Sequence, residues 1–289
     1  MTDELQRPGE LGEPEQLEAE MQAVWERRRA RAKRSGILSP ILAIGVLLVL
    51  WEAGVRLLNV ELYLLPAPSV VAGAVGKDMP LLIEHGWITT QEVVIGYLLS
   101  IAVGIPLGLV IFLSRPFARA IYPLLVSSQA IPKTAIAPLF VLWFGFGLLP
   151  KVLIAFLIAF FPIVISTVVG LASIEQEKVY LAQSMKMGSI ATFFKIRLPQ
   201  AAPSIFGGLK IAITLAVVGA VVGEFVGADA GLGYLLLIAN GNLDTPLLFA
   251  GLFALTLLGV VAFAIVEVIE RIAIPWHSSQ RAETALASQ

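Results

Sequence analysis

The sequence predicts an all-α integral membrane protein with about six transmembrane helices. Its 289 residues are 57% hydrophobic and only 14% charged, whereas soluble domains are about a quarter charged. The mean hydropathy is +0.86. Apolar runs long enough to cross a hydrocarbon core of about 30 Å recur along the chain. Because a water-soluble fold of this length could not bury so much apolar surface, lipid must be its main solvent.

The apolar runs differ in the charges that they contain. The first predicted span, Ile37–Leu58, has Glu52 and Arg56 near its far end. Three later spans contain no charged residue at all: Val93–Leu113, Val152–Ile174 and Leu247–Val266.

Two further spans contain one lysine each. Ala120–Phe146 includes Lys133 beside Pro132, and Ala201–Gly223 includes Lys210. A charge or a proline inside a span is tolerated where neighbouring helices, rather than lipid, surround it. The sequence therefore predicts six spans in total.

Charged tails flank this membrane domain, which we place at 36–275. The first tail, 1–35, begins acidic and ends in a basic cluster between Arg27 and Arg34. It is either a solvated tail or a polybasic segment that binds anionic lipid headgroups. The second tail covers 276–289.

The distribution of lysine and arginine predicts the orientation. Fifteen of the 20 lie before the first span, after the sixth span, and in the loops after the second and fourth spans. Only Arg56, Lys77 and Lys151 fall in the opposite segments. Because cytoplasmic loops carry the excess of positive charge, we expect both termini in the cytoplasm of a multi-pass protein of the bacterial plasma (inner) membrane.

Small residues recur at every fourth position in two of the spans. This spacing lets helix backbones approach each other closely. It predicts plain helix packing or, alternatively, a pore-lining or dimer-forming face. The residues are Gly96, Ser100, Gly104 and Gly108 in the second span, and Gly219, Gly223 and Gly227 in and just after the fifth.

The cytoplasmic loop at 175–200, between the fourth and fifth spans, is long and free of helix breakers over its first half. Val179, Ala182 and Met185 fall on one helical face. A second short helix follows and is expected to end at Pro199. On physical grounds the loop is either an interfacial helix on the lipid surface or a docking helix in a groove of a soluble partner.

At this loop the sequence resembles a known family. Together with 200–210, the loop is similar to the cytoplasmic "EAA" loop of binding-protein-dependent ABC transporter permeases, within them the nitrate/sulfonate/taurine-type group. The resemblance covers roughly 60–272 and implies the ABC importer permease fold, with a two-helix loop that docks on an ATPase. Three further segments support it in the right order: Leu64–Ser69, Ile131–Gly147 and Gly223–Tyr234.

The resemblance also assigns roles within the loop. Tyr180 stands where the family has its glutamate, Ala182 at the second alanine, and Lys186 at the glycine. The nearest glycine is Gly188, which predicts that the turn between the two helices is displaced. By resemblance, the ATPase-docking residues are Tyr180, Ala182, Met185, Lys186, Gly188, Phe193, Phe194, Leu198 and Pro199.

Four side chains are candidates for the translocation pathway or its gate. Glu224 follows a charge-free run and is either functional or a solvated helix end. Lys133 either attracts an anionic solute or extends its ammonium group to the headgroups. Trp143 and Phe144 belong either to an interfacial aromatic belt or to a gate.

The chain itself lacks the groups that most enzymes need. It has no cysteine, only two histidines, no G-x-x-x-x-G-K-[ST] phosphate loop and no evident catalytic or metal-binding set. Its net charge of −1 gives no reason to expect a nucleic-acid partner. We therefore expect no cofactor in this chain.

The resemblance implies the partners. ATP and Mg²⁺ would bind a separate ABC ATPase subunit, an extracytoplasmic solute-binding protein would deliver the solute, and two copies of the permease would pair within membrane lipid. The expected function is the permease subunit of an ATP-binding-cassette importer. The resembling group carries nitrate, sulfonates, taurine, bicarbonate or vitamin-precursor pyrimidines. The alternative is an ion-coupled secondary transporter, which would place ionisable residues deep in several spans.

Because the chain contains no cysteine, single introduced cysteines can test its topology. We expect Glu20→Cys to react with a membrane-impermeant maleimide only after the cells are opened, since the first tail is placed inside. Reaction of this cysteine in intact cells would reverse the predicted orientation.

Overall fold

The computed structural model describes residues 42–276, and this part of the chain consists of helices joined by short turns. The described part of the first helix, α1, covers 42–57. The following helices are α2 (Pro68–Lys77), α3 (Met79–Leu113), α4 (Arg115–Ser128), α5 (Lys133–Phe144), α6 (Leu148–Ala172), α7 (Gln176–Ser184), α8 (Ser189–Thr192), α9 (Leu198–Gly227), α10 (Leu232–Gly241) and α11 (Thr245–Ala273).

Four helices of the described part are long and apolar enough to cross a membrane: α3, α6, the continuous run Ser189–Gly227 that contains α9, and α11. They coincide with the second, fourth, fifth and sixth predicted spans, and each begins before the predicted start. The second ends at the predicted residue, the fourth two residues earlier, and the other two extend beyond the predicted end. A bent pair of helices brings the possible number to five. The beginning of the first predicted span and the tails 1–35 and 277–289 lie outside the described residues.

The third predicted span, Ala120–Phe146, is not one helix. It is divided between α4 and α5, whose axes differ by 95°. The break coincides with Pro132, which caps α5 in an extended conformation. Proline has no N–H to continue the hydrogen-bond ladder and disfavours helical geometry in the residue before it. The third predicted span is therefore not one continuous helix, although both halves are helical and apolar.

The expectation that Leu198–Pro199 ends a helix was wrong. A short π-helical segment, Phe193–Arg197, leads directly into α9, with Pro199 in the first turn. Pro199 has no N–H to donate. The Leu198 N–H just before it donates to the Phe193 carbonyl, a π-type bond that shifts the hydrogen-bond pattern at this point. The second half of the 175–200 loop, from Ser189 onward, and the fifth span thus form one continuous helical run of 39 residues.

Helix α6 is the centre of the transmembrane packing within residues 54–276, because α3 and α9 both pack along it. Ala155 of α6 is fully buried between glycines of the two neighbours. A Cβ atom on Gly96 of α3 would lie 2.7 Å from the Ala155 Cβ, and one on Gly219 of α9 would lie 2.6 Å from the Ala155 Cα. The same holds further along α3, where a Cβ on Gly108 would lie 2.7 Å from Thr167.

The small-residue pattern is therefore explained by helix packing inside one chain. Ser100 adds a hydrogen bond from its Oγ to the Phe156 carbonyl, at 3.0 Å. The members at Gly223 and Gly227 face Lys151 and Val141, again within the same chain. The packing interpretation is confirmed, and these faces are already occupied, so they are not available to form a dimer.

Gly219→Ala should destabilise the protein. The added methyl group would meet the Ala155 backbone, and overpacking of a well-packed core costs about 1–3 kcal/mol. Gly207→Ala in the same helix is the matched control, because its Cβ would have no atom within 4 Å. Thermal unfolding in detergent should show a lower midpoint for Gly219→Ala alone, and equal midpoints would contradict this account of the core.

Candidate functional sites

The first candidate site is the 175–200 loop, where a Schellman motif separates α7 from α8. The Met187 N–H donates to the Ala182 carbonyl at 3.0 Å, and the Lys186 N–H to the Gln183 carbonyl at 2.9 Å. Lys186 adopts the left-handed conformation, with φ of 55°. Helices commonly end on a residue in this conformation, usually glycine.

The turn is thus at Lys186, the position that the resemblance matches to the family's glycine, and the predicted displacement toward Gly188 was wrong. Gly188 has φ of −67° and caps α8 in an extended conformation that other residues adopt as readily. Lys186 takes the strained conformation instead, at a cost of about 1–2 kcal/mol relative to a right-handed residue.

One side of the loop is attached to the rest of the chain. Val179 and Ala182 of α7 and Thr192 of α8 are buried. Phe193 and Leu198 are half-buried and pack against the core formed by α3, α6 and α9. Of the predicted docking residues, Ala182, Phe193, Leu198 and the half-buried Pro199 therefore hold the loop in place.

The other side of the loop is apolar and exposed. It contains the predicted docking residues Tyr180, Met185 and Phe194, which are 62%, 70% and 61% exposed. Lys186 and Gly188 are exposed beside them. Two further apolar side chains, Leu181 and Ile190, are exposed on the same loop and were not predicted. Sequence reasoning missed Leu181 and Ile190 because it considered only the helical face of Val179, Ala182 and Met185, and the first two of these are buried.

The second candidate site is a cluster of buried charges near the beginning of α6. Glu92 of α3, Lys151 of α6 and Glu224 of α9 are only 0%, 3% and 1% exposed. The Lys151 Nζ lies 2.5 Å from a Glu92 carboxylate oxygen. Burying such groups is costly unless they are paired, and this ion pair supplies the pairing for Glu92.

The carboxylate of Glu224 is bound by two donors. The Thr89 hydroxyl donates to one oxygen at 2.6 Å, and the Gly233 N–H donates to the other. Glu224 is therefore buried against α10 and is not a solvated helix end. Sequence reasoning counted Lys151 among the outer charges and did not weigh Glu92. Glu92 and Lys151 each stand directly before a charge-free span, and this position could have indicated that they are buried.

The cluster also binds the beginning of α10. Three consecutive N–H groups there donate to side chains: Gly231 to His85 Nδ1 at 2.9 Å, Leu232 to Thr89 Oγ1 at 2.8 Å, and Gly233 to Glu224. These are the groups that a helix start leaves without intrahelical acceptors. A carboxylate at this end is also favoured by the helix dipole.

Both glycines of this turn are needed for the contact. A Cβ atom on Gly233 would lie 2.6 Å from a Glu224 carboxylate oxygen, and one on Gly231 would overlap the same carboxylate. Gly231 also has φ of +121°, which other residues rarely adopt.

The remaining pathway candidates lie on α5. Lys133 begins this helix directly after the break, and its Nζ lies 4.3 Å from the centre of the Phe161 ring. Trp143 and Phe144 lie at the other end, 62% and 47% exposed, and Phe140 packs against both rings. The structure does not bring these three residues together with Glu224.

A cavity of about 380 Å³ lies between α3 and α11, and its lining is almost wholly apolar. Val94, Leu257 and Val261 are among the residues around it, and they are exposed. A face of this kind is suited to lipid rather than to a polar solute. Within the described residues, no group of three or more histidine, aspartate or glutamate side chains could hold a metal ion.

Comparison with known proteins identifies the family. The model of the inner membrane component of binding-protein-dependent transport systems matches residues 96–273. This chain belongs to that family. A formylaminopyrimidine transport permease protein of Halalkalibacterium halodurans is 40% identical over 244 residues, covering 84% of this chain and 97% of the relative. The chain is thus a multi-pass permease subunit of an ATP-binding-cassette importer for a small solute.

Other relatives agree with this assignment. A riboflavin transport system permease protein of Chloroflexus aurantiacus is 39% identical over 236 residues, covering 81% of this chain and 88% of the relative. A taurine transport system permease protein of Escherichia coli is 27% identical over 241 residues, with coverage of 81% and 88%. The permease chain of an inward-facing MetNI methionine ABC transporter structure superposes with a TM-score of 0.58 at 19% identity, covering 68% of this chain and 97% of that one, and shows the same fold.

Removing one partner of the buried ion pair should destabilise this permease strongly. Lys151→Met leaves the Glu92 carboxylate buried without its cation, which costs about 3–5 kcal/mol. The double variant Glu92→Gln with Lys151→Met should recover most of the loss. In detergent, we expect the thermal midpoint to be lowest for Lys151→Met, higher for the double variant and highest for the unmodified chain.

The matched control is Lys210→Met. Lys210 forms an ion pair with Glu270 at 2.7 Å that is less deeply buried, so its loss should cost less than the loss of Lys151. Equal effects of Lys151→Met and Lys210→Met would show that burial of the Glu92–Lys151 pair does not matter.

Proposed function

We propose that this permease works in the bacterial plasma membrane as a pair of identical subunits, with both termini in the cytoplasm. Two ABC ATPase subunits, which bind ATP and Mg²⁺, dock on the 175–200 loops. An extracytoplasmic solute-binding protein delivers the solute to the opposite face. Closure of the ATPase pair around ATP drives alternating access in the permease.

The observation that carries this proposal is the exposed apolar side of the loop. Tyr180, Leu181, Met185, Ile190 and Phe194 leave apolar surface open to solvent on a segment that is otherwise polar. Exposed apolar patches rimmed by polar residues mark interaction sites. Methionine and aromatic side chains are also enriched at the cores of protein interfaces.

A helix lying on lipid is the competing explanation, and the packing of the loop argues against it. Such a helix would turn its apolar side toward the membrane. Here the side that faces the transmembrane bundle is already occupied, because Val179, Ala182 and Thr192 are buried in the chain and Phe193 packs against its core. The exposed apolar residues are a second set, which remains available to a soluble partner.

The pairing of two permeases follows from the single loop. One chain offers one docking loop, and a motor of two ATPases requires two such loops in a symmetric arrangement.

The proposed orientation in the membrane rests on the positive charge of the loops. Because Lys151 is buried in α6, the opposite side retains only Arg56 and Lys77, which strengthens the charge asymmetry.

For the solute, we propose a planar nitrogen heterocycle of the vitamin or vitamin-precursor class. Permeases named for formylaminopyrimidine and riboflavin share more of this sequence than the permease named for taurine. The exposed rings of Trp143 and Phe144 on α5 would stack on a planar solute. Lys133 at the break between α4 and α5 would supply one positive charge along the same path.

The docking surface can be tested by introducing charge. Tyr180→Asp with Met185→Asp should abolish co-purification with the ATPase, because a carboxylate is costly to bury in an apolar interface. Both positions are exposed in the free chain, so the variant should accumulate normally in the membrane. Leu243→Asp, which is also exposed but lies between α10 and α11, is the control that should retain the ATPase. Retention of the ATPase by the double variant would refute docking at this surface.

The solute class can be tested by uptake into vesicles that contain the assembled transporter. Formylaminopyrimidine or riboflavin should be accumulated with ATP, whereas taurine and nitrate should not. Trp143→Ala should raise the KM of uptake by about 5–30-fold, the equivalent of about 1–2 kcal/mol of lost aromatic contact. Uptake of taurine or nitrate alone would contradict the proposed class while leaving the importer function intact.

A further inference from the structure

The bonds at the beginning of α10 have a consequence beyond stability, because they join it to both α3 and α9. His85 and Thr89 come from α3 and Glu224 from α9, and each accepts one of three consecutive N–H groups. Thr89 also donates to Glu224, which closes the network. The ring of Tyr234 stacks on His85 with centroids 6.1 Å apart.

The surroundings of this network differ sharply in exposure. Gly231, Leu232 and Gly233 are buried, as are Leu235 and Leu236 of α10. Asp229 before the helix and the polar segment 240–244 after it are exposed. The network therefore lies directly beneath the surface that the proposed topology turns outward, toward a soluble partner.

Glu224 also lies close to the end of a long, continuous helical run. The run Ser189–Gly227 is continuously helical over 39 residues, and its other end is the docking loop. At 1.5 Å per residue this run is roughly 58 Å long. A displacement applied to Glu224 would reach the exposed Ile190 and Phe194 of the loop through one helical run. Tyr180 and Met185 on α7 lie beyond the Schellman turn.

We propose that His85, Thr89 and Glu224 form a latch that holds α10 to α9, so that a protein docking on Asp229 and 240–244 moves α9 together with α10. The latch makes the outer surface and the ATPase-docking loop parts of one moving body. His85, Thr89 and Glu224 are positioning residues in this proposal. Only the identity of the outer partner, the solute-binding protein, rests on the proposed function. The attachment of α10 to α3 and α9 stands without it.

The attachment can be tested with this chain alone in membrane vesicles. Leu235→Cys places a single reporter on the buried side of α10. Thr89→Val removes the hydroxyl and keeps the shape, whereas Thr89→Ser keeps the hydroxyl. We expect the reporter to react with a membrane-impermeant maleimide at least about tenfold faster in the Thr89→Val background than in the Thr89→Ser or unmodified background. Equal rates in all three would overturn the latch.

The transmission can be tested in the assembled complex with its ATPase and solute-binding protein in vesicles. Thr89→Val should lower the ratio of stimulated to basal ATP hydrolysis severalfold on addition of the solute-binding protein, and Thr89→Ser should restore it. An unchanged ratio despite faster labelling would show that α10 is latched but transmits nothing, which overturns the proposal. If Thr89→Val fails to accumulate, Glu224→Gln takes its place, since it keeps the side-chain volume and loses the charge.

A failure of the proposed importer function would give a result that differs from a failure of the latch. In that case the unmodified chain would not co-purify with an ATPase, and the labelling rates would still decide whether the latch exists.

Discussion

The close approach of α3 and α9 to α6 determines the position of every other feature of the transmembrane part. Ala155 is enclosed between Gly96 and Gly219, so the backbones of three helices meet at one small side chain. In a membrane there is little hydrophobic drive for helices to associate, and packing of small residues takes its place. The same helix contacts bring Glu92, Lys151 and Glu224 together, one from each helix, in a region that excludes water.

Once these charges are buried, the chain must satisfy them. Lys151 pairs with Glu92, and Thr89 together with the start of α10 serves Glu224. Unsatisfied N–H groups at the beginning of a helix and an unpaired carboxylate would each be costly in this environment. In this structure the N–H group of Gly233 donates to the Glu224 carboxylate, so each group supplies the other's hydrogen-bond partner. The turn before α10 is consequently ordered by the transmembrane core, whereas the 175–200 loop keeps exposed apolar side chains that the described part of its own chain does not cover.

The sequence predicted the features that depend on long apolar runs or on a local pattern. Four spans and the loop followed from hydropathy, length and the resemblance to a permease family. The break at Pro132 was not predicted, because an apolar run of sufficient length looks like one span whether or not it bends. Continuity through Pro199 was missed for a related reason, since a proline tolerated in a first turn looks the same in sequence as one that ends a helix. The roles of Glu92 and Lys151 depend on contacts between residues 59 positions apart, which no local pattern reveals. Lys186 shows the opposite case, because the backbone makes a left-handed turn there although lysine does not favour that conformation.

The buried charges also bear on the source of energy for transport. Paired carboxylates and a lysine among transmembrane helices are features that ion-coupled transporters use as well. The most direct measurement is solute uptake into vesicles containing the permease, with and without its ATPase, after an ionophore has collapsed all ion gradients. This account predicts uptake that requires both the ATPase and ATP and that persists without gradients. Uptake by the permease alone, driven by a proton or sodium gradient and abolished by the ionophore, would contradict it.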